Sequence, residues 1–429
     1  MAGINIISSE LVRPSEATPH GPFWLSNLDL GVRSGYSPMI YLFRPLGVGC
    51  PADFFSADIL RTALSRALVP FYPLAGRLGM APDGRLEIDC SGQGAVFVVA
   101  RSDAVLEDLE GFAPSKAMCD MFVPPYEEVV GASGKPLLLL QVTFLHGGGV
   151  VLGTGMHHYA LDGRSSFHFM QTWSSLARGA AGDTVPPFLD RSPLRARSPP
   201  VILFDHFHEY CRNGAGSATG AARPSDLAGA ILRVTSAQAA ALRARTGESL
   251  FRSLVAHIWR CALTARALPS DAESRLYTVV DMRARLSPPL PSAYFGNAGV
   301  RTSVSAKVGD VLASPLKFGA QRLRMATGQG DEYARSLVDY LETAADASSK
   351  PGRELPDTDL RVISWMGMAS HDANFGWGEP AGVAPAAVSY TWFVYSVGDS
   401  GDVAVAVAMK PDQLERFKEL FFHENEMAW

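Results

Sequence analysis

The run Met156-His157-His158-Tyr159-Ala160-Leu161-Asp162-Gly163 sets a histidine and an aspartate four residues apart at the end of an apolar stretch, Val150 to Met156. A neutral imidazole has a pKa of about 6.5 and can take the proton of an attacking hydroxyl or amine. Gly163-Arg164-Ser165-Ser166 reads as a helix start followed by Phe167, Met170, Trp173 and Leu176, so His158 sits on a strand-to-helix turn. Asp162 can orient the imidazole or the loop, or it can cap the helix and bond an arginine, and the structural role is the favoured one. Taken alone, the run also suits a buried, hydrogen-bonded histidine pair. Gly147, Gly148, Gly149, Gly153 and Gly155 leave little side-chain bulk along that strand, a composition expected to let a narrow substrate pass close to the backbone. A second run, Asn374-Phe375-Gly376-Trp377-Gly378, lies far downstream. Its glycines suit a tight turn, and Trp377 suits packing better than ligand binding.

A chain of 429 residues, 47% hydrophobic and 10% aromatic, can bury a large core and is expected to divide in two. The expected domains are residues 1–180, carrying the histidine run, and 226–429, carrying the glycine–tryptophan run, with a Pro/Gly/Ala/Ser-rich crossover at 181–225. A net charge of -5 gives no general attraction to nucleic acid or anionic membranes. The five cysteines, at 50, 90, 119, 211 and 261, are scattered and form no CxxC pair, which argues against a disulfide framework or zinc knuckle. No stretch reaches the roughly 18 apolar residues of a membrane helix. A cytoplasmic monomer without metal or permanently bound cofactor is the expectation.

The elements that must position these residues alternate irregularly, as in mixed α/β layers. Strands are expected at Ile4–Leu11, Met39–Phe43, Arg85–Asp89, Ala95–Val99, Leu137–Phe144, Val150–Met156, Leu276–Asp281, Val388–Val397 and Val403–Met409. Helices are expected after Ser56, with Leu60, Leu64 and Leu68 inward, from Ser249 to Ala267, with Leu250, Leu254, Ile258 and Cys261 inward, and from Pro411, with Leu414, Phe417 and Phe421 on one face. Other chemistries fail by inspection. Gly134-Lys135 lacks the upstream glycine of a P-loop, there is no GxSxG, and His423-Glu424 is not followed by the histidine of a zinc-protease helix. His206 and His208 have no third metal ligand at suitable spacing.

Several further runs keep these two company: Ala67-Leu68-Val69-Pro70-Phe71-Tyr72-Pro73-Leu74-Ala75-Gly76-Arg77-Leu78, Leu86-Glu87-Ile88-Asp89-Cys90, Phe188-Leu189-Asp190-Arg191-Ser192, Ala256-His257-Ile258-Trp259-Arg260 and Tyr294-Phe295-Gly296-Asn297. Together, along nearly the whole length, they resemble the plant BAHD acyltransferases, and among these the hydroxycinnamoyl-CoA transferases that acylate shikimate, quinate or amines. The resemblance implies a two-domain α/β fold of the chloramphenicol acetyltransferase type with mixed sheets and an interdomain solvent channel. It also implies acyl-CoA as co-substrate and His158 as general base in a direct attack, with no acyl-enzyme. Trp365 and backbone amides beside His158 are candidate oxyanion donors, Trp365 equally a wall of the acyl pocket. Arg252 and Ser253 are the candidates for CoA phosphates, against the alternative of a solvated helix face.

Two departures from the family pattern bear on function. The family's DFGWG begins here with Asn374, and the aspartate's usual arginine partner corresponds by position to Arg283, so a charge-assisted pair becomes an ordinary one. The arginine that grips the carboxylate of shikimate or quinate corresponds to Gly367 in Ser364-Trp365-Met366-Gly367. Loss of that charge, with Glu379 nearby in sequence and aromatic walls from Tyr36, Met39, Trp365 and Trp392, points to an amine acceptor. Arylalkylamines such as tryptamine or tyramine are slightly favoured over putrescine, agmatine or spermidine. An alcohol acceptor is the alternative, and a non-catalytic acyl-CoA-binding homologue is a third reading.

Overall fold

The computed structural model describes all residues except 1–2, 46–52, 110, 112, 126–133, 211–225, 344–354, 399 and 427–429. Cys50, Cys211 and much of the expected crossover lie outside the described residues. The chain forms two compact units: residues 1–195 with 290–298 and 368–387, and residues 196–289 with 299–367 and 388–429.

The first unit is built on a six-stranded mixed sheet in the order Ile4–Val12, Ala95–Ser102, Leu138–Leu145, Val150–His157, Tyr36–Phe43, Gly382–Pro385. Within this sheet, among the described residues, only Ala95–Ser102 and Leu138–Leu145 pair in parallel. Val150–His157 is central and buried at every position, which is why its sequence is continuously apolar instead of alternating. A three-stranded sheet of Pro22–Trp24, Leu86–Asp89 and Arg77–Met80 completes the unit's β-structure. Helices Ala57–Ala67 and Gly163–Ala177 pack together, with Trp173 Nε1 donating to the Leu60 carbonyl at 3.0 Å.

The glycines of the central strand make room for the protein itself, which corrects the expectation of a substrate passage. A Cβ on Gly153 would lie 1.7 Å from the Phe122 carbonyl oxygen, and one on Gly155 would press on Val123 and Leu139 at 3.3 Å. The division at 180 and 226 is also drawn differently. Gly382–Pro385 pairs antiparallel with Tyr36–Phe43, which carries the glycine–tryptophan run into the first unit. There Phe375 packs edge-on against Trp173 at 4.8 Å, and Trp377 lies 5.1 Å from Phe55.

The second unit is a six-stranded sheet in the order Gly299–Lys307, Glu273–Asp281, Leu360–Ser364, Thr391–Val397, Asp402–Met409, Ala228–Val234. Helices Leu250–Ala265 and Pro411–Glu426 bury Leu254, Ile258, Cys261, Leu414, Phe417 and Phe421 in its core. Among the described residues six strands escape the sequence reading: Pro22–Trp24, Arg77–Met80, Ala228–Val234, Gly299–Lys307, Leu360–Ser364 and Gly382–Pro385. Among the described residues no helix is long and apolar enough to cross a membrane, and no group of three or more His, Cys, Asp or Glu could hold a metal ion.

Candidate active site

The last residue of the central strand, His157, and the first of the following turn, His158, have different environments. His157 is buried, stands edge-on to Tyr36 with ring centroids 5.2 Å apart, and its Nδ1 accepts the Tyr159 N–H at 3.3 Å. Burial, aided by the neighbouring His158 and Lys135, pushes its pKa down to about 3, so the ring is neutral and structural. His158 is half-buried, and its backbone N–H donates to the Gly35 carbonyl at 2.9 Å. Its Nδ1 is shut away from solvent without a partner of good hydrogen-bond geometry, which leaves Nε2 as the nitrogen able to meet a substrate.

Burial lowers the pKa of His158 below its ordinary value, and the Arg33 guanidinium acts in the same direction. The carbonyls of His158 and Leu161 and the charge of Asp162 oppose the shift. The net effect holds the imidazole neutral around neutral pH, the state a general base requires.

Asp162 is tied to the backbone through both carboxylate oxygens. It caps the Gly163–Ala177 helix, Oδ1 accepting from the Ser165 N–H at 3.0 Å, while Oδ2 accepts from the Ala298 N–H at 3.1 Å. Ser165 Oγ binds the same segment through the Gly296 carbonyl at 3.1 Å. The 290–298 segment is thereby tied to the turn.

Three further residues at this turn were not singled out from sequence as site residues. Asn297 Nδ2 donates to the His158 carbonyl at 2.8 Å, Asp29 accepts from Asn297, and Arg191 lies 3.0 Å from Asp29 and donates to the Ala160 carbonyl at 2.6 Å. Arg191 and Asn297 lie in the Phe188–Ser192 and Tyr294–Asn297 runs, and the Ser26-x-x-Asp29 spacing is a capping pattern, so each had a visible signal.

Tyr36 and Met39, expected to line the acceptor pocket, are buried in the first unit, and the Tyr36 hydroxyl is committed to the Pro136 carbonyl at 2.6 Å. In the glycine–tryptophan run, Asn374 Oδ1 accepts the Gly376 N–H at 2.9 Å, and the Asn374 carbonyl accepts from Arg178 at 3.1 Å. Gly376 and Gly378 have φ of +104° and +95°, the left-handed region that favours glycine.

The other expected site residues belong to the second unit. Ser253 is fully buried, and its hydroxyl is shared with Thr246 Oγ1 at 2.6 Å and the Ser249 carbonyl at 3.0 Å, so it cannot meet a phosphate. Arg252 is partly exposed but engaged, with Glu248 at 3.1 Å and Thr327 at 3.0 Å. Trp392, expected in the pocket, is core: its Nε1 donates to the Ala408 carbonyl at 3.1 Å and its ring packs against Phe417. Trp365 remains half-buried, 4.2 Å from Phe393. Gly367 is exposed with φ +71°, and a Cβ there would meet nothing within 4 Å. Arg283 pairs with Asp281 at 3.1 Å.

A two-unit α/β chain with mixed sheets and a neutral histidine on a tightly tied strand-to-helix turn defines a class of group-transfer enzyme. The Transferase family model matches residues 2–424, and the chain belongs to that family, the BAHD acyltransferases, whose members use CoA thioesters as co-substrates. It is 44% identical to putrescine hydroxycinnamoyltransferase 1 of Oryza sativa subsp. japonica, covering 98% of this chain and 99% of that protein. Shikimate O-hydroxycinnamoyltransferase of Nicotiana tabacum is 37% identical over the same shares. The fold matches the crystal structure of vinorine synthase with a TM-score of 0.78 at 22% identity, over 98% of each chain.

Proposed function

We propose that the protein transfers a hydroxycinnamoyl group from CoA to an aliphatic amine of the putrescine class, with His158 as general base. The observation that carries the chemistry is the His158 turn, where Nδ1 is enclosed and burial keeps the ring neutral. An amine with a pKa of about 10 arrives as an ammonium. Once it has lost a proton, its nitrogen attacks the thioester carbonyl carbon while Nε2 takes the second proton. The C–S bond then breaks, the amide forms, and the CoA sulfur leaves and is reprotonated. General-base catalysis of this kind contributes about 10²–10⁴ in rate.

The acceptor class rests on Gly367, where no side-chain charge is offered to a carboxylate, and on 44% identity to an enzyme named for putrescine. The sequence preference for an arylalkylamine relied on aromatic walls. Tyr36 and Trp392 are core residues, so that preference gives way to an aliphatic amine. O-acylation remains the second reading, since a shikimate enzyme is 37% identical.

The test is a panel of acceptors with purified protein and coumaroyl-CoA, scored by release of free thiol. Putrescine or agmatine should outpace tyramine, tryptamine, shikimate and quinate. Turnover confined to shikimate or quinate overturns the amine reading. Undiminished turnover in His158→Ala overturns the base.

A further inference from the structure

The carbonyl of His158 is the junction of the turn, and the group that holds it is the carboxamide of Asn297. Nδ2 of Asn297 donates to the His158 oxygen at 2.8 Å and to Asp29 Oδ1 at 3.0 Å, while the Asn297 backbone N–H donates to that same carboxylate oxygen at 2.8 Å. Asp29 is fixed in turn by the Ser26 N–H at 2.7 Å, the Ser26 hydroxyl at 2.6 Å and Arg191 at 3.0 Å. Asn297 and Asp29 are at most 1% exposed, so neither side chain is free to move to another partner in water.

We propose that Asn297 is a positioning residue for the base: by holding the His158 carbonyl it sets the tautomer and direction of the His158 ring without touching substrate. The inference rests on the acyl-transfer reading of His158. Nδ1 of His158 is enclosed, and the carbonyls of His158 and Leu161 lie near enough to favour a proton on the ring, though neither meets Nδ1 with good hydrogen-bond geometry. A carbonyl oxygen has two lone pairs. With one engaged by Asn297 the peptide plane is fixed, which keeps the His158 carbonyl within reach of the residue's own Nδ1–H as an acceptor. The proton then resides on Nδ1, and the lone pair a base needs is on Nε2. Without Asn297 the plane can rotate, the His158 carbonyl no longer favours Nδ1–H, and the Nε2–H tautomer, which cannot accept a proton from the amine, gains population. A wrong tautomer at a catalytic histidine is a documented route to large losses in turnover.

Two readouts separate this role from general support of the fold. In a double-mutant cycle, Asn297→Ala should lower kcat by roughly 10–100-fold with both KM values within about twofold, yet change the residual turnover of His158→Ala by less than about twofold. Equal losses in the two backgrounds overturn the proposal. In ¹⁵N-histidine-labelled protein without substrates, His158 should report the Nδ1–H tautomer in the wild type and a mixture in Asn297→Ala. An unchanged tautomer likewise overturns it. If the alanine variant fails to fold, Asn297→Ser replaces it, because the hydroxyl can donate to Asp29 but not also span to the His158 carbonyl. The NMR arm needs no acceptor, so absence of acyl transfer in the wild type would sink the proposed function while the tautomer still decides Asn297.

Discussion

Asp162 offers the sharpest test of how the turn works, because its charge and its hydrogen bonds lead to different consequences. Asp162→Ala removes the helix cap on the Ser165 N–H and leaves the Ala298 N–H without its acceptor. Loss of a cap costs about 1 kcal/mol, and an unmade buried hydrogen bond costs about 1–3 kcal/mol, giving roughly 2–4 kcal/mol together. At about 2–4 °C per kcal/mol for a unit of some 150–250 residues, Tm should fall by roughly 4–16 °C. Asp162→Asn keeps an oxygen for the cap but presents an amide where Ala298 needs an acceptor, so its fall should be smaller.

The kinetic effect has a definite sign. The Asp162 charge favours the protonated His158 ring, and its removal lets the ring lose its proton more easily. The acid limb of the kcat/KM profile should therefore move to lower pH in both variants, with turnover at the optimum reduced by less than about tenfold at temperatures below Tm. Thermal melts and thiol release between pH 5 and pH 9 measure both, the range being about that over which a histidine titrates. A fall of about 10³–10⁴ in kcat for Asp162→Asn with unchanged Tm would refute this account, since that is the signature of an aspartate that sets the histidine tautomer directly.

Other expectations follow from the same geometry. Ser253→Ala should lower Tm through loss of about 1–2 kcal/mol of internal hydrogen bonding, while KM for acyl-CoA stays within about twofold; a large KM increase would return Ser253 to the CoA site. Gly367→Arg should raise the ratio of shikimate to putrescine turnover, at about 1–2 kcal/mol of strain from its left-handed φ; an unchanged ratio removes Gly367 from the acceptor argument. Asn374→Asp keeps the acceptor for the Gly376 N–H and adds charge near Arg178, so Tm should rise slightly with turnover within about twofold; a larger change in turnover than in Tm would place the run at the chemistry. His257 is buried with its pKa pushed down to about 4 by burial, and its Nε2 meets the Phe421 carbonyl at 2.9 Å. The unfolded chain binds a proton below about pH 6.5 that this folded histidine refuses, so stability falls as pH drops from about 6.5 to 4, by about 3 kcal/mol from this residue. His257→Gln should flatten Tm against pH there, and an unchanged slope counts against it.

How far the sequence could be read depended on whether a feature is local. The helix faces at Leu60 and Leu64, Leu254 and Ile258, and Phe417 and Phe421 repeat with helical period, and all are buried. Gly382–Pro385 has only four residues, and its pairing with Tyr36–Phe43 is distant in sequence, so neither the strand nor the unit that owns Asn374 to Gly378 could be read from periodicity. Strand parity explains the misplaced pocket residues. Trp392 and Val394 share the core face of Thr391–Val397, whereas Phe393 points to the other and meets Trp365. Gly153 looks the same in sequence whether it faces a substrate or the Phe122 carbonyl, and only the structure shows which.

The buried charge at Asp29 closes the argument about the site, because stability alone does not account for it. Burying an ion pair such as Asp29–Arg191 incurs desolvation that its attraction need not recover, and apolar replacements of such pairs are often as stable. What an apolar cluster could not do is hold polar backbone at defined angles. Arg191 and Asn297 satisfy the carbonyls of Ala160 and His158, and Asp29 fixes both donors from the opposite side. Those carbonyls belong to a turn that cannot satisfy them within the sheet, since Val150–His157 has ended and the Gly163–Ala177 helix has not begun. The ion pair and carboxamide therefore act as the scaffold of an irregular loop in which one imidazole must keep a single orientation. That is a task for which directional polar groups are better suited than packing.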